Sequence, residues 1–445
     1  MDFPGLLTSL GDFAYTAGAF VIALSIIVAV HEYGHYIVGR WSGIHAEVFS
    51  LGFGPVLWSR MDRRGTRWQV AAVPFGGYVK FLGDANAASA GADTTTMSRL
   101  SDDERRHTMH GAPLWARAAT VFAGPAFNFV LSILVFGAML FVSGVATDAP
   151  EIEALRPLPV ENGLMPGDRI LAVAGMETPD YKALGEVAAK LPAVAQVDYR
   201  VLRDGQDVTV TGPTLIPALV LAVLPKSAAM DAGLREGDVI LAMNGTPTPR
   251  FDDLQAIVKQ SGGQPINLSV WRDGKEFETK LAPRERPVSS EGGGLETGYQ
   301  IGISGSFMFD PATRRPGLGE ALETGVRQTW GIIETTFSAL SSMVAGKIST
   351  CNLNGPVGMA QATGAAASAG LSSFVWLIAA LSTAIGLLNL FPIPVLDGGH
   401  LVFHAYEWAT GKPPSDRFMN VAMAVGLTLV LALMLFGLTN DLFCR

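Results

Sequence analysis

Charged residues are scarce in this sequence. Lys, Arg, Asp and Glu together account for 16% of the 445 residues, whereas hydrophobic residues account for 49%. This balance is too apolar for an ordinary soluble protein of this size, and it predicts several membrane-spanning segments. The formal net charge of −8 argues against a nucleic acid as the partner.

Cysteine is also rare, since Cys351 and Cys444 are the only two. The chain has no CxxC pair, which argues against a thiolate zinc site and against a disulfide framework. In the orientation derived below, both cysteines lie on the non-cytoplasmic side, where a disulfide is physically permitted. Nothing in the sequence fixes their separation, and we do not expect them to pair.

Basic residues are absent from the first 12 positions, and the N-terminus shows no small-residue cleavage site. We therefore expect the first apolar segment to be retained rather than removed as a signal peptide. A membrane-spanning helix needs roughly 20 apolar residues. Four segments meet this requirement, at about residues 14–38, 114–144, 371–391 and 420–438.

The distribution of Lys and Arg predicts the orientation of these spans. Residues 40–113 contain nine basic side chains, whereas residues 1–12 contain none. Short loops rich in Lys and Arg stay in the cytoplasm. The first loop is therefore predicted to be cytoplasmic, with both termini and the long segment between spans two and three on the opposite side.

That long segment contains an internal repeat. GLMPGDRILAVAG at 163–175 matches GLREGDVILAMNG at 233–245, and an RDG triplet follows each copy, at 203–205 and at 272–274. A helix-like stretch lies between the two motifs of each copy, at Tyr181–Lys190 and Phe251–Gln260. The pattern resembles PDZ domains of bacterial membrane-linked proteases and predicts two small α+β domains, 145–214 and 215–285. The alternative is two β-rich domains with no binding function.

Residues 286–370 are predicted to be a linker followed by an amphipathic helix. The stretch RPVSSEGGGL at 286–295 is typical of a flexible linker or loop. Between 322 and 344, apolar residues recur at spacings of three and four, which indicates a helix with one apolar face. That face suits the membrane interface or packing against the small domains, and the sequence does not decide between the two.

The first apolar segment runs directly into HEYGH. His31 and His35 are four residues apart, so a helix would place both imidazoles on one face, where they could bind one metal ion. Neutral imidazoles favour zinc, and Glu32 is placed to take a proton from water activated by the metal. Ionisable side chains are costly within a membrane, which supports a functional interpretation.

Catalytic zinc usually has three protein ligands, so one more is needed. A third histidine at the metzincin spacing is not expected, because Val38 stands where that motif has glycine. The best candidate is Asp397 in NLFPIPVLDGGH, where two prolines interrupt span three, and His400 is a weaker alternative. In the same stretch Asn389 could contact substrate or join two helices. Asn128 in span two is predicted to form an interhelical hydrogen bond.

These motifs together resemble the site-2 protease family, and most closely its bacterial regulator-of-sigma-E protease branch. HEYGH, NLFPIPVLDGGH and the PDZ-like repeats carry the resemblance, which extends to LGFGP, PFGGYVK, AGPAFN and NGPVGMA. It implies that His31, His35 and Asp397 bind Zn²⁺, that Glu32 is the catalytic base, and that Asn389 contacts substrate. It also implies a hairpin at 48–84 that dips into the membrane near the zinc.

The predicted fold is therefore a multi-pass α-helical membrane protein with four transmembrane helices, a membrane-associated β-hairpin and two tandem PDZ-like α+β domains. Residues 1–144 and 371–445 would form the two membrane halves. The resemblance implies a zinc-dependent endopeptidase of the bacterial inner membrane that cuts single-pass membrane proteins after an upstream site-1 protease has trimmed them. Anti-sigma factors and remnant signal peptides are the implied substrates. The alternative is a non-enzymatic, membrane-anchored PDZ scaffold.

Overall fold

Four helices of this computed structural model are long and apolar enough to cross a membrane. The structure describes residues 3–85, 91–289 and 294–444. Within these ranges the four candidate spans are Gly11–Trp41, Leu114–Ser143, Leu371–Asn389 and Arg417–Phe443. The predicted number of candidate membrane-spanning helices is confirmed.

The N-terminal part of the chain combines helices with a long hairpin. Its elements are α1 (Phe3–Trp41), β1 (Ala46–Met61), β2 (Arg67–Phe81), α2 (Thr94–Arg99), α3 (Asp102–Arg105) and α4 (Leu114–Ser143). The hairpin folds over itself, because Val48 pairs with both Lys80 and Arg67. Residues 48–51 consequently lie between 67–70 and 77–80. In the described part of the chain residues 77–81 pair only with 46–51, so they form one edge of this folded sheet.

The outer half of the hairpin leaves many apolar side chains exposed. The last nine residues of β1 are all exposed. A water-soluble sheet would cover such a surface, so this patch indicates contact with lipid or protein. The large apolar side chains in the patch are Phe53, Val56, Leu57, Trp58, Met61, Val70, Val73 and Phe75.

The repeated sequence folds into two sheets of identical strand order. The elements are β3 (Val145–Ala146), β4 (Ile152–Leu155), β5 (Arg169–Val173), β6 (Met176–Glu177), α5 (Tyr181–Lys190), β7 (Gln196–Arg203), β8 (Gln206–Pro213), β9 (Ala222–Val223), α6 (Ala228–Asp231), β10 (Val239–Met243), β11 (Thr246–Pro247), α7 (Phe251–Gln260), β12 (Ile266–Arg272) and β13 (Lys275–Leu281). One sheet has the order β6-β5-β7-β8 and the other β11-β10-β12-β13. The two longer helices, α5 and α7, have the predicted bounds.

An arginine–aspartate ion pair occurs at the same place in both sheets. In the first, Arg203 Nε donates to Asp168 Oδ1 and Nη2 to Oδ2, both at 2.7 Å. In the second, Arg272 makes the same two bonds to Asp238, at 2.6 and 2.7 Å. Each arginine also donates to the carbonyl oxygen of the glycine that begins its repeat motif. The ion pair explains why the Gly-Asp turn and the RDG triplet recur together.

The segment after the second sheet is largely strand, which corrects the predicted linker. Its strands are β14 (Arg284–Ser289), β15 (Leu295–Gln300), β16 (Ile303–Ser304), β17 (Phe309–Pro311) and β18 (Thr313–Arg314). Strands β14 and β15 pair with each other as a hairpin. The glycine- and serine-rich sequence therefore falls where the two strands of this hairpin are connected, and it does not separate two domains. The central residues 290–293 of the predicted linker lie outside the described residues. Strands β16, β17 and β18 pair with β9, β4 and β3, respectively.

The C-terminal part of the chain is helical. It comprises α8 (Leu318–Val344), α9 (Pro356–Ser368), α10 (Leu371–Asn389), α11 (Asp397–Thr410) and α12 (Asp416–Phe443), with a 3-10 turn at Thr350–Asn352. Helix α8 covers the predicted amphipathic segment, and much of its apolar face is exposed, including Leu322, Val326, Trp330 and Phe337. Cys351 and Cys444 are both disulfide-bonded, so our expectation that they do not pair is wrong. The expectation rested on the lack of any sequence signal that fixes the distance between the two cysteines, and that distance is set by the fold.

The chain divides into two compact units. The membrane unit consists of residues 1–139, 318–337 and 353–445, and the repeat unit consists of residues 140–317 and 338–352. The repeat unit has two hydrophobic cores, one for each four-stranded sheet. In the membrane unit, the largest buried cluster joins the end of α1 to the hairpin through Tyr36, Phe49, Val79 and Phe81.

Candidate metal centre

Three of the predicted site residues meet in the membrane unit. The Nε2 atoms of His31 and His35 are 3.1 Å apart. The Oδ2 atom of Asp397 lies 3.2 Å from His31 Nε2 and 3.5 Å from His35 Nε2. Among the described residues this is the one group of at least three His, Cys, Asp or Glu side chains whose ligand atoms lie within 4.8 Å of one another.

Two different local structures position these groups. His31 and His35 occupy successive turns of α1, which places their rings on one face. Asp397 is the first residue of α11, directly after an unwound stretch, 391–396, that contains two prolines. The following glycines, 398 and 399, lie so close to this stretch that an added Cβ would be 2.3 Å from a carbonyl oxygen in each case. They let α11 begin against the unwound backbone.

The donor set fits a zinc ion. Asp397 Oδ2 is buried and, within the described chain, forms no hydrogen bond, so a lone pair is available to a metal. Space for the imidazoles depends on Gly124 of α4, where a Cβ would lie 2.2 Å from His35 Nε2 and 2.8 Å from His31 Cε1. Two imidazoles and one carboxylate are a common ligand set of catalytic zinc, which keeps its remaining position open.

Both imidazoles are held from behind by α4. His35 Nδ1 lies 2.8 Å from the carbonyl oxygen of Thr120. A carbonyl can only accept, so Nδ1 carries a proton, and in a neutral ring Nε2 is then left with a free lone pair. His31 Nδ1 lies 3.3 Å from Asn128 Nδ2, which confirms the predicted interhelical contact of Asn128. The role of Thr120 was not predictable, because a backbone carbonyl leaves no signal in the sequence.

The three groups line a cavity of about 480 Å³, and the other predicted site residues line the same cavity. Glu32 and Asn389 both line it, and His400 does so without belonging to the ligand group. The edge strand contributes residues 77–79. Glu32 lies against this strand, since a Cβ on Gly77 would be 3.0 Å from Glu32 Cγ. A polypeptide at this edge would therefore lie next to the cluster.

Comparison with known proteins identifies the family. The sequence model of peptidase family M50 matches residues 19–433. The chain belongs to peptidase family M50. This confirms the resemblance to site-2 proteases, and it identifies the protein as a zinc-dependent metalloprotease.

Curated relatives match this M50 protein along nearly its whole length. A protein of Agrobacterium fabrum named "Putative zinc metalloprotease" is 37% identical over 95% of this chain and 94% of its own length. A protein of Rhizobium meliloti with the same description is 35% identical over 97% and 98%, respectively. "Regulator of sigma-E protease RseP" of Salmonella typhimurium is 31% identical over 96% of this chain and 98% of its own length. A non-enzymatic scaffold is therefore set aside.

The M50 cavity has polar lining beyond the predicted residues. His110 and His404 line it, and His110 Nε2 lies 3.3 Å from Asp84 Oδ1. Arg117 on α4 binds Glu407 on α11 through two hydrogen bonds, of 3.0 and 2.6 Å. These residues stand outside any motif in the sequence, so only the fold brings them to the cavity. Their polar groups make this part of the cavity compatible with water.

Proposed function

We propose that this M50 protein is an intramembrane endopeptidase that cuts single-pass membrane proteins within or near the bilayer. The observation that carries the proposal is the meeting of His31, His35 and Asp397 at one point, with Glu32 in the same cavity. The two histidines lie on a helix that is long and apolar enough to cross a membrane. Ionisable groups are rare in such helices unless they serve a function.

In this proposal His31, His35 and Asp397 are the zinc ligands and Glu32 is the catalytic base. When bound, the zinc ion supplies Lewis-acid polarisation of the scissile carbonyl and lowers the pKa of a water molecule. Glu32 takes the proton from the attacking water and delivers it to the leaving amine. Asn389 hydrogen-bonds the substrate backbone and keeps the scissile peptide in place.

The edge strand at 77–81 is the proposed docking site for an unwound substrate. A helical substrate hides its carbonyls in internal hydrogen bonds and must unwind before attack. An extended segment would then pair with this edge, where main-chain hydrogen bonds give affinity with little sequence preference. The exposed apolar side chains of the hairpin support the proposal that it dips into the membrane.

We further propose that the chain resides in a bacterial inner membrane with both termini and the repeat unit on the non-cytoplasmic side. Nine basic residues between 40 and 113 support a cytoplasmic first loop. The disulfide-bonded state of Cys351 and Cys444 is consistent with an oxidising compartment for the C-terminal region. The name of the Salmonella relative is consistent with a bacterial regulatory protease.

The repeats at 145–214 and 215–285 are proposed to be tandem PDZ-like domains that control access to the site. Their identical strand order, each with a ten-residue helix, supports two copies of one domain. They would exclude a substrate that still carries a bulky outer domain, so that an upstream site-1 protease must act first. A trimmed anti-sigma factor or a remnant signal peptide would satisfy this condition.

The test is Glu32→Gln in the full-length protein, reconstituted with a trimmed single-pass substrate. Because Glu32 is the proposed base and not a ligand, the variant should keep about one zinc ion per chain and lose at least about 100-fold in cleavage rate. Glu323→Gln, an exposed carboxylate on α8, is the control and should behave as wild type. Full activity in Glu32→Gln, or wild-type protein without zinc in elemental analysis, would refute the mechanism.

A further inference from the structure

Asn128 is a fully buried polar residue on α4, next to the metal cluster. Its side chain is 0% exposed, and its amide lies beside His31. Its backbone carbonyl accepts a hydrogen bond of 3.0 Å from the hydroxyl of Ser382 on α10. The backbone of α4 is therefore tied to α10 at the residue whose side-chain amide lies beside His31 on α1.

The orientation of this amide corresponds to one tautomer of His31. Asn128 Nδ2 is a donor, so at 3.3 Å from His31 Nδ1 it requires a lone pair on that nitrogen. The ring proton is then on Nε2, the atom that faces His35 and Asp397. That tautomer cannot offer Nε2 to a metal. Asn128 Oδ1 is meanwhile buried and, within the described chain, has no hydrogen-bond partner.

A rotation of the amide by 180° exchanges its oxygen and nitrogen. Oδ1 then faces His31 Nδ1 and accepts its proton, which leaves the Nε2 lone pair free for zinc. His35 already has this arrangement, through the carbonyl oxygen of Thr120. The two histidines would then be held alike, each by an acceptor on α4. A metal-binding histidine usually donates its second ring N–H to such an acceptor.

We propose that Asn128 is a positioning residue whose amide oxygen accepts a hydrogen bond from His31 Nδ1–H and so holds His31 in the zinc-binding tautomer. The proposal rests on the proposed ligand role of His31. An amide oxygen at this position matches a proton on His31 Nδ1, whereas the amide nitrogen matches a lone pair there. A carboxylate at this position could only accept, and an aliphatic side chain could do neither.

The test compares zinc affinity in three full-length variants by competition with a chelator. Asn128→Leu should weaken zinc binding by about 10- to 100-fold, the usual effect of removing a partner of a ligating histidine. Asn128→Asp retains an acceptor and should stay within about threefold of wild type. Asn440→Leu is the matched control, since it makes the same substitution at another buried asparagine of a membrane helix, and it should leave zinc affinity unchanged.

The outcomes separate this proposal from the one on which it rests. If His31→Ala keeps its zinc, the ligand assignment fails. If His31→Ala loses zinc while Asn128→Leu binds it like wild type, the positioning role alone is overturned. It is likewise overturned if Asn128→Asp folds with an unchanged melting temperature but loses as much affinity as Asn128→Leu.

A spectroscopic measurement covers the case in which Asn128→Leu does not fold. In the cobalt-substituted wild-type protein, the ring N–H protons of the two ligating histidines give shifted NMR signals that disappear in D₂O. Two such signals are expected, one from each Nδ1–H, because a neutral imidazole bound through Nε2 carries its proton on Nδ1. In cobalt-substituted Asn128→Asp the His31 signal should shift while the His35 signal stays in place, and two unchanged signals would overturn the proposal.

Discussion

Each unit contains ionisable groups in close contact, but the hydrogen-bonding capacity of their carboxylates is used to different degrees. In the repeat unit, both carboxylate oxygens of Asp168 accept hydrogen bonds from Arg203, and Oδ2 also accepts one from the Met165 N–H. In the membrane unit, Asp397 Oδ2 accepts none within the described chain, although two imidazole nitrogens lie within 3.5 Å of it. The Asp168–Arg203 pair uses its hydrogen-bonding atoms to hold two turns of the chain together. The cluster around Asp397 instead keeps atoms with unused lone pairs, which a ligand can take up.

The largest expected effect on zinc binding comes from removing the carboxylate of Asp397. Asp397→Ala should reduce zinc from about one ion per chain to less than about a tenth, because two imidazoles alone bind zinc weakly. Cleavage should be abolished. Elemental analysis of the purified variant measures the loss. Asp441→Ala is the control, because each oxygen of this carboxylate accepts a backbone N–H bond, from Gly355 or Gly358, so the substitution should affect stability without affecting zinc.

A smaller but still large effect is expected from filling the space beside the imidazoles. Gly124→Ala would place a methyl group 2.2 Å from His35 Nε2, so the ring must move away from its position. We expect zinc affinity to fall at least about 10-fold, the scale of losing one partner of a ligating histidine. Gly18→Ala on α1 meets no atom of the described residues within 4 Å and should be neutral or slightly stabilising. Equal zinc affinity in the two variants would contradict the close approach of α4.

Breaking the Asp168–Arg203 ion pair should lower the stability of the first repeat without changing zinc binding or cleavage. Asp168→Ala leaves the Arg203 guanidinium without its partner and should destabilise the first repeat by roughly 2–3 kcal/mol, discounted because the arginine is partly exposed. Asp238→Ala should have a similar effect in the second repeat. Hydrogen exchange in the full-length protein localises each loss. Glu177→Ala removes an exposed ion pair with Arg200 and should cost less than about 1 kcal/mol.

The same pair should make the first repeat sensitive to acid. Burial alone would raise the pKa of Asp168, but hydrogen bonds from Arg203 and Met165 and the arginine charge outweigh it and hold the pKa below its ordinary value. The stabilisation is therefore complete above the unfolded-state pKa of about 3.9 and is lost as the pH falls through the lower folded-state pKa. Amide protection of β5 and β7 should decline below about pH 4. In Asp168→Asn this decline should be shallower, and an unchanged profile would argue against the pair as its source.

Much of the fold was predictable from periodicity and composition. The four spans are long apolar runs, and helices α5 and α7 are amphipathic stretches that begin after a turn signal. Strands β16, β17 and β18 were missed, because two or three residues are too few to show an alternating pattern. The folding of the hairpin over itself was also missed. It depends on a change of pairing register around Gly52, which no local propensity encodes.

For the metal centre, the sequence indicated side chains but not their support. His31 and His35 share a motif, and Asp397 follows a helix break within an apolar segment, so each was a candidate before the structure. The structure brings their ligand atoms together. Their roles as zinc ligands, and those of Glu32 and Asn389, remain predictions. The carbonyl of Thr120 and the missing side chain of Gly124 left no signal in the sequence. An interhelical contact of Asn128 was expected, but its partner, His31, was not.

The packing of α1 on α4 also limits how the HEYGH motif could be reused in protein engineering. A Cβ on Gly34 would lie 2.5 Å from the carbonyl oxygen of Ala123, whereas the Tyr33 side chain is 41% exposed. Of the two residues between Glu32 and His35, Tyr33 therefore tolerates substitution better than Gly34, although its ring also contacts Tyr36 and Phe127. A designer who transplants the five residues into another helical bundle must also transplant the neighbouring backbone of α4. Glycine is needed at position 34 only because that backbone approaches so closely.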